Sequence, residues 1–423
     1  MKAIVVPGAI PQIAMLQDLK SRGIHTILAD MNPKAIARPY ADEFFPVSAL
    51  DVDGLVNLAK EQGADFIVTC CADQVVLAVA EASERLGLPC YIDYATAKKV
   101  SNKESMKQIM DEYGVPTARY VVMDTFDAGK IAGLKYPIIV KPVDAYSSRG
   151  VRKCFTEDEV RAAFEQAVRI SRTDSAIVEE YNEGFEISVD GWVENGTAHL
   201  MSISVSDKIK GKDSFVIFRT KNPAPVSKEV EEKVAEICQK IGDGIGLANT
   251  PLHIQMITDN QNVSVLEFCA RTGGSTKWEM IKRAAGFDVV KAINDLTLGI
   301  IPHFEKKPRV APYCMTDFIY CEEGVFDHVE GFEEMKQAGY INDYFLFRQP
   351  GGKTTPVTCS GDRAACYFVH ADTVEELLRK HEVIRNTVKI IDPNGKDIMR
   401  HDLITVPQWY DPGTREGEER HAD

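Results

Sequence analysis

An α/β domain leading into an α+β body is the fold class this chain predicts, and three observations carry it. Strand-length apolar runs alternate with helical patterns over the first hundred residues, the strict alternation then lapses, and the chain turns strand-rich again beyond Pro308. At 423 residues and 44% hydrophobic composition there is enough chain for two or three packed domains.

In the first hundred residues the runs 3–6, 26–29 and 66–69 read as parallel strands, and 15–19, 55–59 and 75–86 as crossover helices. After the first strand, Pro7-Gly8-Ala9-Ile10-Pro11-Gln12 supplies one glycine where a dinucleotide fingerprint needs three, which disfavours a nicotinamide cofactor even though Asp30 ends the second strand. Ser101-Asn102-Lys103-Glu104 reads as a capping box with Ser101 as N-cap. Met106, Ile109, Met110 and Tyr113 then form one apolar face, and Gly114 and Pro116 stop the helix. Lys103 thus falls in the first turn, where the helix dipole disfavours a cation and a bound anion would relieve the conflict.

From about residue 120 the expected order is a strand at 136–140 in a hairpin with 151–155, a helix at 157–170 and a strand at 176–178. Strands 185–193 and 198–205 should turn at Glu194-Asn195-Gly196. A helix at 228–241 precedes strands 251–257 and 263–268; later come a strand at 365–369, a helix at 373–381 and a turn at Asp392-Pro393-Asn394-Gly395. The charged stretch from Asp411 onward is expected to be a disordered tail.

A net charge of −14 argues against general nucleic-acid or acidic-membrane binding. No run of about 18 apolar residues and no signal-like start are present, so a cytoplasmic location is expected. Ten cysteines without CxxC spacing fit reduced, mostly buried thiols. Against the acidic background, Lys208, Lys210 and Lys212 cluster, and Lys103, Lys141, Arg149 and Arg271 each stand at the edge of an apolar element where an anion could be clamped. Singly, each reads as a solvated surface charge.

Four motifs carry chemistry. Tyr136-Pro137-Ile138-Ile139-Val140-Lys141-Pro142 is a buried-type strand ending on a lysine, an arrangement that a nucleotide phosphate would stabilise. Ser147-Ser148-Arg149-Gly150 is small enough to fold backbone N–H groups over phosphate oxygens. Ala176-Ile177-Val178-Glu179-Glu180-Tyr181 followed by Asn182-Glu183-Gly184-Phe185-Glu186 is a strand edge that could meet an adenine ring, with Glu186 accepting from ribose hydroxyls. In Val263-Ser264-Val265-Leu266-Glu267-Phe268-Cys269, strand periodicity sets Glu267 opposite Leu266 and Phe268. Gln255 faces away from Leu252, Ile254 and Met256, so antiparallel pairing would bring Gln255 and Glu267 together as hard oxygen donors for magnesium. Cys269 is too soft to serve. Arg271 before Thr272-Gly273-Gly274, expected to open a helix, could hold a phosphate or carboxylate bidentately.

With this ordered set the chain resembles the ATP-grasp superfamily over almost its full length, nearest to carboxylate–amine (amino-acid) ligases and to the synthetase units of carbamoyl-phosphate synthase. The resemblance implies a Rossmann-like pre-ATP-grasp domain over 1–100, a small ATP-clamping subdomain over 101–185, a catalytic body over 186–308, a C-terminal extension over 309–410 and the tail 411–423. It implies ATP with one or two Mg2+, for which Mn2+ could substitute. Lys103 and Lys141 would hold the α and β phosphates, Ser147, Ser148, Arg149 and Gly150 would close over the γ-phosphate, and Glu179, Glu180, Tyr181 and Asn182 would form the adenine hinge. Glu186 would contact ribose, Gln255 and Glu267 would ligate the metal, and Arg271 would stabilise the acyl phosphate, with Lys141 and Arg149 joining it in catalysis. The family usually has Asn two residues after the metal-binding Glu; Cys269 stands there, which bears on a second magnesium. The stretches 361–370 and 373–378 resemble the extension that in these ligases often builds a dimer contact or part of the substrate pocket, and a homodimer is expected.

The activity implied is activation of a carboxylate as an acyl phosphate with release of ADP and phosphate, followed by attack of an amine. Lys208 to Lys212 is a candidate lid, and Gly273, Gly274 and Trp278, with the 7–12 loop and the region after Pro308, are candidates for choosing the acceptor. Bicarbonate activation and a non-catalytic ATP sensor are the competing readings.

Overall fold

The computed structural model describes residues 1–145, 149–209 and 215–409. Its first sheet is parallel, with the strand order Glu43–Phe45, His25–Ala29, Lys2–Val5, Phe66–Val68. Helices Ile10–Ser21 and Val52–Gln62 make crossovers between its strands, and Asp73–Leu86 follows the last strand, so the alternation in the sequence reports true βαβ units. Gln12, grouped with the preceding loop on sequence grounds, is instead fully buried in the first helix, where its amide donates to the Val6 carbonyl at 3.2 Å. Asp30 closes the Pro7-Gly8 turn by accepting from the Gly8 N–H at 2.7 Å.

The second sheet is antiparallel: Tyr120–Met123, Ala176–Glu180, Ile138–Pro142, Arg152–Cys154. Helix Glu157–Ile170 covers it. Thr156 caps that helix, three acids complement the dipole in its first turn, and Val160, Ala163, Phe164 and Ala167 form its buried stripe. One cap differs from expectation. Asn102, not Ser101, caps Lys103–Glu112, its side chain accepting from the Glu104 and Ser105 N–H groups; the Ser101 hydroxyl turns back to the Ala97 carbonyl at 2.7 Å. Both residue types are good caps, and the preceding short helix Tyr94–Lys99 claims the serine.

The third sheet has eight strands in the order Val263–Cys269, Thr250–Thr258, Phe185–Glu194, Thr197–Lys208, Ile217–Asn222, Tyr313–Ile319, Ala365–Ala371, Asp343–Leu346, with every adjacent pair antiparallel. It runs unbroken across position 308. Helix Lys228–Ile245 buries Val230, Val234, Ile237 and Ile241 in the main core, which continues through the sheet into the first domain. The two are docked by helix Ile10–Ser21 against Val289–Thr297, with Arg22 on Asp295 at 2.5 Å and Asn294 on Asp18 at 2.8 Å. A second core lies under the C-terminal strands around Phe326, Phe332, Tyr367 and Ile384. There the fully buried Arg219 binds Asp317, His381 and the Thr405 carbonyl, while Lys221 reaches the Gln408 carbonyl, so the last described segment is tied to the sheet. Among the described residues no helix is long and apolar enough to cross a membrane.

Candidate active site

The site lies where one face of the large sheet meets the small sheet and the ends of the first domain's strands. Gln255 and Glu267 pair directly across adjacent antiparallel strands, with a bulge just past Gln255. The period-two reasoning about this pairing therefore holds, and an amide and a carboxylate side chain share one sheet face. Lys103, first residue of its helix, sets its ammonium 3.1 Å from Glu267 and 2.7 Å from the Ala145 carbonyl. Glu267 thus supplies the anion that a cation in a helix's first turn calls for. Burial would lower the Lys103 pKa, but Glu267 outweighs it and the value is raised.

Lys141 ends its strand buried, as the sequence suggested, and its partner is Glu179 at 2.6 Å. The other Glu179 oxygen is 2.8 Å from Lys107, whose nitrogen also reaches the Thr117 hydroxyl at 2.5 Å. Burial works to raise the Glu179 pKa, yet the two ammonium groups hold it down at about 2. Lys107 is lowered, by burial first and by the neighbouring Lys141 as well. The Glu179 side chain is therefore committed to Lys141 and Lys107, and only its backbone is left for the expected hinge contact.

The other residues expected to form the hinge lie at and just past the end of strand Ala176–Glu180. Glu180 accepts from the Lys135 N–H at 3.0 Å, Tyr181 lies under the Lys153 ammonium, 3.5 Å from its ring centre, and Asn182 donates to Ser264 at 2.9 Å. Glu186 is buried between Lys208 at 2.7 Å and the Gln255 amide at 3.4 Å, so Lys208 is an ordered strand residue with an ion-pair partner. Lys210 and Lys212, the rest of the candidate lid, and Ser147 and Ser148 lie outside the described residues. Arg149 is exposed; Gly150 has φ +77°, and a Cβ there would stand 2.8 Å from Ile170.

Arg271 is held by a residue the sequence reading missed. Asp73, first residue of its helix in the first domain, binds it bidentately, through Nε and at 3.2 Å through Nη2. Burial would raise the Asp73 pKa, but Arg271 brings it to about 2. The segment after Arg271 departs from expectation: the helix begins at Lys277, with Thr276 in the cap position, and the Thr272 N–H donates to the Cys70 carbonyl at 3.1 Å. Gly273 and Gly274 precede the helix. Gly273 is needed for close packing, since a Cβ would meet the Lys277 stem at 2.7 Å and the His253 ring at 3.2 Å. Trp278 packs against the main core. Also missed were the buried pair Asp190–His253, at 2.8 Å on the same sheet face, and the buried Lys277. Nothing local marks them, because Asp190 and Lys277 sit in stretches that read simply as strand and helix.

Among the described residues no three His, Cys, Asp or Glu converge into a metal cage. Gln255 and Glu267 fit a hard divalent ion only if phosphate oxygens complete its shell, which suits magnesium carried by a nucleotide.

Residues 134–279 match the ATP-grasp domain, and residues 317–391 match the L-amino acid ligase C-terminal domain 2. The chain thus carries an ATP-grasp domain, followed by a segment similar to the C-terminal domain of L-amino acid ligases. The fold matches the L-amino acid ligase of Bacillus licheniformis at TM-score 0.75 and 20% identity, covering 93% of this chain and 98% of that one. The biotin carboxylase domain of Hydrogenobacter thermophilus 2-oxoglutarate carboxylase, solved with MgADP and bicarbonate, matches at TM-score 0.78 and 19% identity, covering 95% and 92%. In sequence, the carbamoyl phosphate synthase large chain of Agathobacter rectalis is 24% identical over 329 residues, 75% of this chain. The chain spans only 29% of that relative's length, and 13% of the multifunctional protein ura1 of Schizosaccharomyces pombe.

Proposed function

We propose that this protein is an ATP-dependent ligase that joins a carboxylate to an amine, with an amino acid as the amine and a dipeptide or amide as product. The observation that carries the reading is the directly paired Gln255 and Glu267 beside Lys103, together with the buried Lys141–Glu179 pair. A carboxylate oxygen of the acid attacks the γ-phosphorus, the bond to the β-phosphate oxygen breaks, and ADP leaves. The amine lone pair then adds to the acyl carbon, phosphate departs with the C–O electrons, and the amine's proton goes to solvent. Lys103 and Lys141 neutralise charge on the phosphates, and Arg271, fixed by Asp73, steadies the oxyanion as the amine adds. Magnesium held by Gln255 and Glu267 would supply further charge neutralisation at the transferred phosphoryl group. Ser147, Ser148, Arg149 and Gly150 would cover the γ-phosphate, and the hinge from Glu179 to Asn182 would seat adenine.

The match to the L-amino acid ligase C-terminal domain favours this reading. Bicarbonate as acceptor is the second reading, supported by the similarity to carbamoyl phosphate synthase chains. A screen of amino-acid pairs for phosphate release separates them: ADP and phosphate should form only with a suitable acid and amine together. Bicarbonate-dependent turnover without an organic acid would favour the alternative, and formation of AMP and pyrophosphate would rule out both.

A further inference from the structure

The Lys277 side chain is 9% exposed, and its nitrogen contacts the hydroxyl of the fully buried Ser204. Among the described residues no carboxylate lies within ion-pair distance of it. Other buried cations of the site have one: Lys103 has Glu267, Lys141 and Lys107 share Glu179, and Arg271 has Asp73. Glu186 and Asp190 act on Lys277 only through longer-range attraction, and burial, the larger effect, lowers its pKa. Asp190 is already committed to His253. A buried ammonium with one neutral partner is costly, and a bound anion would offset that cost.

Strand register locates this cation relative to the metal pair. Glu267 pairs with Gln255, Gln255 with Ser188, and Ser188 with Ser204, a single transverse row on one face of the sheet. From Gln255 to Ser204 is two strand spacings, about 10 Å. The floor between them is the small, buried Ser188. The Lys277 stem reaches the row because Gly273 lacks a Cβ.

We propose that Lys277 and Ser204 form an oxyanion site for the free carboxylate of the amine substrate, so that the acceptor is an amino acid recognised by its own carboxylate. This rests on the ligase reading above. If the acyl group is activated beside Gln255 and Glu267, a carboxylate one residue beyond the new amide bond falls several ångströms further along the row, toward Lys277. The nucleotide's phosphates are the other source of an oxyanion, but Lys103, on Glu267, and Arg271, two residues past the Glu267 strand, already lie at the Glu267 end of the row.

The test uses the full-length enzyme and compares each L-amino acid with its amide as acceptor, with one fixed acid donor, by phosphate release. The amide keeps the amine and side chain and loses only the charge. The wild type should prefer the free acid in kcat/KM by about 10- to 100-fold, the range of a hydrogen bond to a charged group. Lys277→Met should abolish that preference, and Ser204→Ala should reduce it about 3- to 10-fold, which keeps the test usable should the lysine variant not fold. MgADP affinity should change less than twofold in both. A preference that survives in Ser204→Ala and Lys277→Met overturns the proposal, and so does an equal loss of MgADP affinity, which would assign the anion to the nucleotide. If no acid–amine pair releases phosphate, the ligase reading itself fails. Titration of inorganic phosphate and bicarbonate into wild type and Lys277→Met then shows whether the oxyanion site stands alone, and equal binding by the two proteins sinks it.

Discussion

Replacing Glu179 by Gln should destabilise the four-stranded sheet and loosen Lys141 together. In the native protein one carboxylate, 3% exposed, sits between Lys141 at 2.6 Å and Lys107 at 2.8 Å, side chains that are 8% and 1% exposed. The amide keeps the shape and removes the charge, leaving two ammonium groups in a buried site. Breaking a buried pair in this way costs about 3–5 kcal/mol. The pKa gives a similar figure: the carboxyl is held at about 2 against an ordinary 4.5, and at about 1.4 kcal/mol per pKa unit this is roughly 3 kcal/mol. The carboxyl's pKa is lowered on folding, so its contribution is fully present above the unfolded value and is lost as pH falls toward 2. The gap in thermal midpoint between wild type and Glu179→Gln should therefore be about 5 °C near pH 7 and shrink steadily below pH 4.5. In the proposed function MgATP brings anionic oxygen to Lys141, so it should raise the midpoint of the variant more than that of the wild type. Scanning fluorimetry across pH, with and without nucleotide, measures both effects. A variant with an unchanged midpoint and unchanged ATP affinity would refute the claim that Glu179 organises the two lysines.

Asp73→Asn should lower kcat for phosphate release about 10- to 100-fold with a small change in thermal midpoint, because Arg271 loses a charge-assisted partner but keeps the Thr272 carbonyl at 2.9 Å; an unaltered kcat, set beside a crippled Arg271→Ala, would remove Asp73 from the site. Chelation by EDTA should stop turnover, Mg2+ or Mn2+ should restore it, and Gln255→Leu or Glu267→Gln should raise the half-saturating metal concentration at least tenfold. Metal dependence identical to wild type in both variants would show that the ion binds elsewhere. Gly150→Ala should cost about 1–2 kcal/mol, since its φ of +77° is strained for alanine and the new methyl stands 2.8 Å from Ile170. A higher KM for ATP is expected with it, and steady-state kinetics showing no change would separate that loop from the phosphates.

Periodicity made much of this molecule legible in advance. The helix 157–170 was readable to its ends, since cap, acidic first turn and apolar stripe agree. Gln255 and Glu267 could be set face to face because side chains in strands alternate and neighbouring antiparallel strands share their faces. The choice between Ser101 and Asn102 as cap was not legible, since two good caps stood side by side and a tertiary neighbour decided between them. Which ion meets which lay beyond local pattern altogether. Arg271 finds Asp73 from 198 residues away, and Lys107 shares Glu179 with Lys141 only because a helix from outside the small sheet packs on it. Residue types and their spacing thus select strands, helices and the chemistry available, through short-range sterics and hydrogen bonding. Packing alone selects charge partners, because Coulomb energy between distant segments exists only after the chain has closed the gap and excluded water. For the same reason Lys277 is an ordinary helix residue in the sequence and, in the fold, a buried cation with no carboxylate at ion-pair distance among the described residues.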